Sequence, residues 1–128
     1  MSALHHMEFE LPSVEVQEVP RARAAARGWC SAAGLNGLVD AVILVLTELL
    51  GNAVCHATTP VIVRLEVRPT VVRIEVSDGS PDRPTRRSAG PEDSHGRGLA
   101  IVDAITARHW GSERTDHGKL VWAEIARR

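Results

Sequence analysis

Two short strands joined by a three-residue turn constrain this chain more than any other feature. In "VIVRLEV", Val61, Val63, Leu65 and Val67 alternate with Ile62, Arg64 and Glu66. In "VVRIEVSD", Val72, Ile74 and Val76 alternate with Arg73, Glu75 and Ser77. A period of two sends one set of side chains to each face, and "RPT" between the runs predicts a hairpin. A hairpin with one apolar face needs a second layer to cover it. A candidate cover precedes it: "DAVILVLTELLGNAVCHA", an apolar helix running to about Ala57. With 128 residues and 44% hydrophobic composition, the chain is long and apolar enough for one folded domain, 1–128.

The remaining segments fit around that pair. "EFELPSVEV" alternates weakly and contains Pro12, so it predicts an edge or broken strand, with residues 1–7 a flexible end. "VPRARAAARGWCSAAG" predicts a helix with Pro20 in its first turn and Gly34 at its C-terminal cap. Asn36 or Asp40 can cap the next helix. From Gly79 to Gly98 the chain is dense in Gly, Pro, Ser and charge, a long loop of the kind that serves as a lid or binding loop. "LAIVDAITARHW" predicts a helix stopped by Gly111, and "GKLVWAEIA" a closing strand. The order β-α-α-β-β-loop-α-β predicts an α/β (α+β) two-layer sandwich: a mostly antiparallel, mixed sheet with helices on one face.

Charge and composition exclude several roles. A net charge of -1 gives no pull toward nucleic acid or membrane, and 3% aromatic content is too little for base-stacking platforms. Arginine carries almost all the positive charge; Lys119 is the only lysine. Cys30 and Cys55 form no C-x-x-C pair, so buried thiols in a reducing cytoplasm are expected. The N-terminus has no signal-peptide pattern, and Glu48 and Asn52 interrupt the longest apolar run, so no bilayer span is expected.

Three features can carry chemistry. Glu48, Asn52 and His56 recur every four residues and share one helical face. The amide oxygen of Asn52 suits Mg²⁺, which takes few protein ligands plus phosphates and waters, and Glu48 can accept a proton. On the stripe alone, an amide and a carboxylate satisfied by nearby backbone is the commoner case, and His56 reads as a packing or capping residue. In "HGRGLAIV", Gly96 and Gly98 bracket Arg97 before Leu99 and a helix; such a segment can turn backbone N–H groups toward an anion, or simply end a flexible loop. Asp78, in "VSDGSPDRP", can accept a hydrogen bond from an exocyclic amine, or form a turn with Gly79. Arg86 and Arg87 can screen phosphates or remain solvated.

Taken in order, "TELLGNAVCHA", "VSDGSPDRP", "GRGLAIVDAI", "HWG" and "GKLVWAEI" resemble the small histidine-kinase-like ATPase domains of bacterial anti-sigma-factor serine/threonine kinases, within the gyrase, chaperone, histidine kinase and mismatch-repair ATPase superfamily. The resemblance implies a Bergerat-type ATP-binding fold with ATP and Mg²⁺ as cofactors. It implies that Asn52 binds Mg²⁺, Glu48 is the catalytic base, Asp78 with Gly79 recognises adenine, and Gly96, Arg97, Gly98 and Leu99 wrap the phosphates, with 79–98 as ATP lid and phosphate loop. Many relatives carry D-x-G-x-G where this chain has Asp78 followed by "GSPDRP", which resembles the S-P variant of small stand-alone regulators. The expected activity is that of a cytoplasmic anti-sigma factor phosphorylating a partner antagonist on serine or threonine; histidine autophosphorylation is not expected. The alternative is a non-catalytic or nucleotide-free module that sequesters a sigma factor or other regulator. Either has a protein partner, and the resemblance admits a homodimer.

Overall fold

The computed structural model describes residues 5–11, 18–56, 60–78, 94–116 and 118–127, and at 54–56 and 94–98 the backbone alone. The elements follow in the order β1 (His6–Leu11), α1 (Glu18–Ala32), α2 (Val39–His56), β2 (Val61–Val67), β3 (Val71–Asp78), α3 (Ser94–Ile105), β4 (Trp110–Thr115) and β5 (Gly118–Ala126). The strands form one sheet in the order β1-β2-β3-β5-β4. All four pairings are antiparallel, so the expected mixed sheet is a wholly antiparallel one among the described residues.

The alternation read from the sequence sets the layers. Val61, Val63 and Leu65 of β2, Val72, Ile74 and Val76 of β3, and Val121, Ala123 and Ile125 of β5 are buried on one face. Helix α2 lies against β3 and β5, and α1 and α3 pack against α2. Its Val42, Val45, Leu46, Leu49 and Leu50 complete the core. Each such side chain contributes about 1.5–3 kcal/mol when removed from water. The window Asn36–Ala53, with mean hydropathy 1.3, is long and apolar enough to cross a bilayer by length and composition, contrary to the sequence expectation. An average over the window dilutes Asp40, Glu48 and Asn52, which interrupt any continuous run. The same apolar residues are those that cover the sheet.

The opposite face carries charge. Arg73 donates to Glu75 at 2.7 Å and to its cross-strand partner Glu124 at 2.8 Å. Its guanidinium also sits 4.7 Å from the Trp122 ring centroid. Burial works against the charge, but the hydrogen bonds and carboxylates of Glu75 and Glu124 outweigh it and hold the guanidinium pKa above its ordinary value. Further out, Arg64 reaches Glu8 at 3.0 Å across β1 and β2.

Several boundaries differ from the sequence reading. Helix α3 starts at Ser94, so the Gly96–Gly98 segment forms its first turns rather than a loop preceding it. The α3 C-terminus comes earlier than expected as well. Arg108 N–H donates to Asp103 O at 2.8 Å and Ala107 N–H to Ala104 O at 3.3 Å, the paired bonds of a Schellman motif. Ala107 (φ 52°) and Arg108 (φ 70°) turn left-handed there. The chain then enters β4, a strand not anticipated. Trp110 Nε1–H donates to Asp103 Oδ1 at 2.9 Å and ties the new strand to α3. Gly111 does not stop a helix. It lies in β4 opposite Trp122, where a Cβ would come within 3.1 Å of the indole ring. Helix α1 ends by the same motif at Gly34 (φ 76°), as expected. Asn36 lies within a 3₁₀ turn, Asn36–Leu38, that leads into α2, and Asp40 is in the first turn of α2. Strand β1 is an edge strand, beginning at His6 inside the stretch expected to be flexible.

Candidate functional site

The antiparallel register gathers one end of the domain. Ile62, at the start of β2, pairs with Ser77, at the end of β3. Asp78, the last residue of β3, pairs with Lys119, at the start of β5. Helix α2 runs toward this end, since only residues 57–60 separate His56 from β2. Helix α3 begins toward this end too: it packs along α2, and its far end leads into Trp110, which pairs with Ala123, four residues up β5 from Lys119. The last turns of α2, the tip of β3, the root of β5 and the first turns of α3 therefore share one rim.

Several of the candidate residues fall on that rim. Asn52 is 3% exposed and Asp78 7% exposed, both polar groups held among core side chains. Glu48 is half-buried one turn before Asn52 and has a polar partner. Helical spacing puts Glu48 and Asn52 on the same side of α2. Gly96, Arg97 and Gly98 occupy the N-terminal part of α3, whose first four N–H groups have no partner within the helix. Leu99 is buried. The side chain of His56 and residues Gly79, Arg86 and Arg87, with the body of the expected lid, lie outside the described residues.

One residue was not singled out by its chemistry from the sequence. Lys119 is 1% exposed and stands directly across from Asp78. The parity of β5 places Lys119 with the inward residues Val121, Ala123 and Ile125. Its being the only lysine, at an inward position of a strand, was the available signal.

The donor set bears on a metal. Among the described residues no three His, Cys, Asp or Glu side chains converge as an ion-binding group. What the rim offers is an amide oxygen on Asn52 and a carboxylate on Glu48 one turn away. That fits an ion which brings most of its ligands as phosphates and waters, the habit of Mg²⁺.

Comparison with known proteins identifies the family. Residues 13–125 match the histidine kinase-like ATPase domain, and the chain belongs to that family. Membership implies nucleotide binding. The chain is also 38% identical to an uncharacterized protein of Streptomyces coelicolor over an 86-residue alignment spanning 63% of this chain and 81% of the relative.

Proposed function

We propose that this protein is a cytoplasmic ATP-dependent regulator with a Bergerat-type site, acting as an anti-sigma factor and as a serine/threonine kinase toward a partner antagonist. The observation that carries the reading is the placement of buried Asn52 and Asp78, with the start of α3, on one rim of a family-matched fold. Burying an amide and a carboxylate is costly in a core that only has to pack, whereas a nucleotide site uses both as recognition groups.

In this reading Asp78 accepts a hydrogen bond from the base amine. Asn52 holds Mg²⁺, which would neutralise phosphate charge, and the α3 N-terminus with Arg97 holds phosphate oxygens. Glu48 accepts the proton of the attacking serine or threonine hydroxyl. The hydroxyl oxygen forms a bond to the γ-phosphorus as the bond to the ADP oxygen breaks. ADP departs, and the proton passes from Glu48 to water.

The test is calorimetric titration with Mg·ATP on wild type and Asn52→Ala, followed by phosphoryl transfer to candidate partners with Glu48→Gln. Micromolar to millimolar binding that weakens at least about tenfold in Asn52→Ala is expected, and Glu48→Gln should bind ATP yet transfer at least about a hundredfold more slowly. Unimpaired transfer by Glu48→Gln would remove that residue's role. Absence of any nucleotide binding would leave a module that sequesters its partner, the alternative suggested by the altered segment after Asp78.

A further inference from the structure

We propose that Lys119 is a second base-reading residue, and that the Asp78–Lys119 pair gives the nucleotide site an affinity for guanine bases that an aspartate alone would not have. This inference rests on the nucleotide-binding reading above.

The geometry is specific. Asp78 and Lys119 are register partners in the β3–β5 ladder and lie on the same buried face. Directly opposite residues on one face of an antiparallel pair have Cβ atoms about 4.5–5.5 Å apart, which brings the ammonium within reach of the carboxylate. The stem of Lys119 is flexible and ends in three rotatable donors. Its Nζ is screened from water. A base edge that docks on Asp78 therefore meets a fixed acceptor and, beside it, a positive donor in low-dielectric surroundings, where such contacts are strongest.

Base chemistry then decides which edge fits. A carboxylate only accepts hydrogen bonds and an ammonium only donates them. Adenine offers the carboxylate one amine N–H, with a ring nitrogen acceptor beside it. Guanine offers two parallel N–H groups, at N1 and N2, and a carbonyl oxygen, O6, beside them. The two N–H groups match both oxygens of Asp78. O6 would be buried without a donor if Asp78 stood alone, and that unmet acceptor would oppose guanine binding. Lys119 supplies the donor.

The test is calorimetric titration of the full chain with ADP and with GDP, each with Mg²⁺, on wild type and on Lys119→Met, a substitution of similar volume. Wild type is expected to bind GDP within about tenfold of ADP, and Lys119→Met to lower the GDP-to-ADP preference by about tenfold or more. Wild-type GDP binding more than about a hundredfold weaker than ADP binding would overturn the inference and leave the ATP reading standing. Equal loss of both ligands in Lys119→Met would do the same. Failure of wild type to bind either nucleotide would overturn the ATP reading and this inference together. Should circular dichroism show Lys119→Met unfolded, the comparison is made on wild type with the diphosphate of 6-thioguanosine, which keeps the N1 and N2 N–H groups and replaces the 6-oxo oxygen by sulfur, a weaker acceptor. It should bind about tenfold more weakly than GDP, and equal affinity would refute the role of Lys119.

Discussion

The two helix ends built on one hydrogen-bond pattern make a matched experiment. Helices α1 and α3 both close with the crossed bonds of a Schellman motif, but α1 uses Gly34 at φ 76° and α3 uses Ala107 at φ 52°. An L-residue in the left-handed region costs roughly 1–2 kcal/mol. Replacing it by glycine relieves that strain but adds about 0.5–1 kcal/mol of unfolded-state entropy to be lost. Ala107→Gly should thus stabilise by about 0.5–1 kcal/mol, while Gly34→Ala should destabilise by about the same amount. Neither change is confounded by packing. A Cβ on Gly34 meets nothing within 4 Å, and Ala107 is exposed and leaves no cavity. Urea unfolding followed by far-UV circular dichroism resolves the two shifts, which correspond to about 3 °C in Tm for a domain of this size. Common denaturant slopes would show that the unfolded ensemble is unchanged. Destabilisation by Ala107→Gly, or no cost from Gly34→Ala, would refute the left-handed strain argument.

Two further outcomes follow from the packing. Arg73→Ala should cost about 1–2 kcal/mol, because it removes two charge-assisted hydrogen bonds and the stack on Trp122 and leaves Glu75 and Glu124 facing each other's charge; raising salt should shrink the difference, as read by thermal unfolding. Burial raises the Cys30 thiol pKa, against a smaller opposing pull from Arg27, so alkylation by iodoacetamide near neutral pH should proceed at Cys30 only as fast as the protein opens, measured by mass spectrometry.

The hairpin β2–β3 and the core helix were legible because their apolar periods are unbroken. Strand β4 was not, because "WGSERT" lies at the sheet edge, is half-buried at best and carries no apolar alternation. The end of α1 was readable from Gly34, whereas α3 ends on Ala107, a residue that advertises no turn. The start of α3 was hidden in turn-rich composition, although a first helical turn tolerates glycine, having few backbone bonds to lose. At the site, the sequence marked Asn52 as a polar group on an apolar helix and Asp78 as a carboxylate at a strand end, but only the register of β3 against β5 showed that Lys119 stands opposite Asp78. Pairing partners distant in sequence leave no local pattern.

That pairing also bears on how the site comes into being. The β2–β3 and β4–β5 pairs each join strands close in sequence, whereas the β3–β5 ladder unites them across the whole of α3. Local hairpins close in microseconds, while contacts across long chain separations carry a larger loop-closure cost and tend to form later. Asp78 and Lys119 are brought face to face only when the two halves of the sheet dock. A chain stalled with both hairpins formed would hold most of the secondary structure and no base-reading pair, so ligand capture would report completion of the tertiary fold rather than its beginnings.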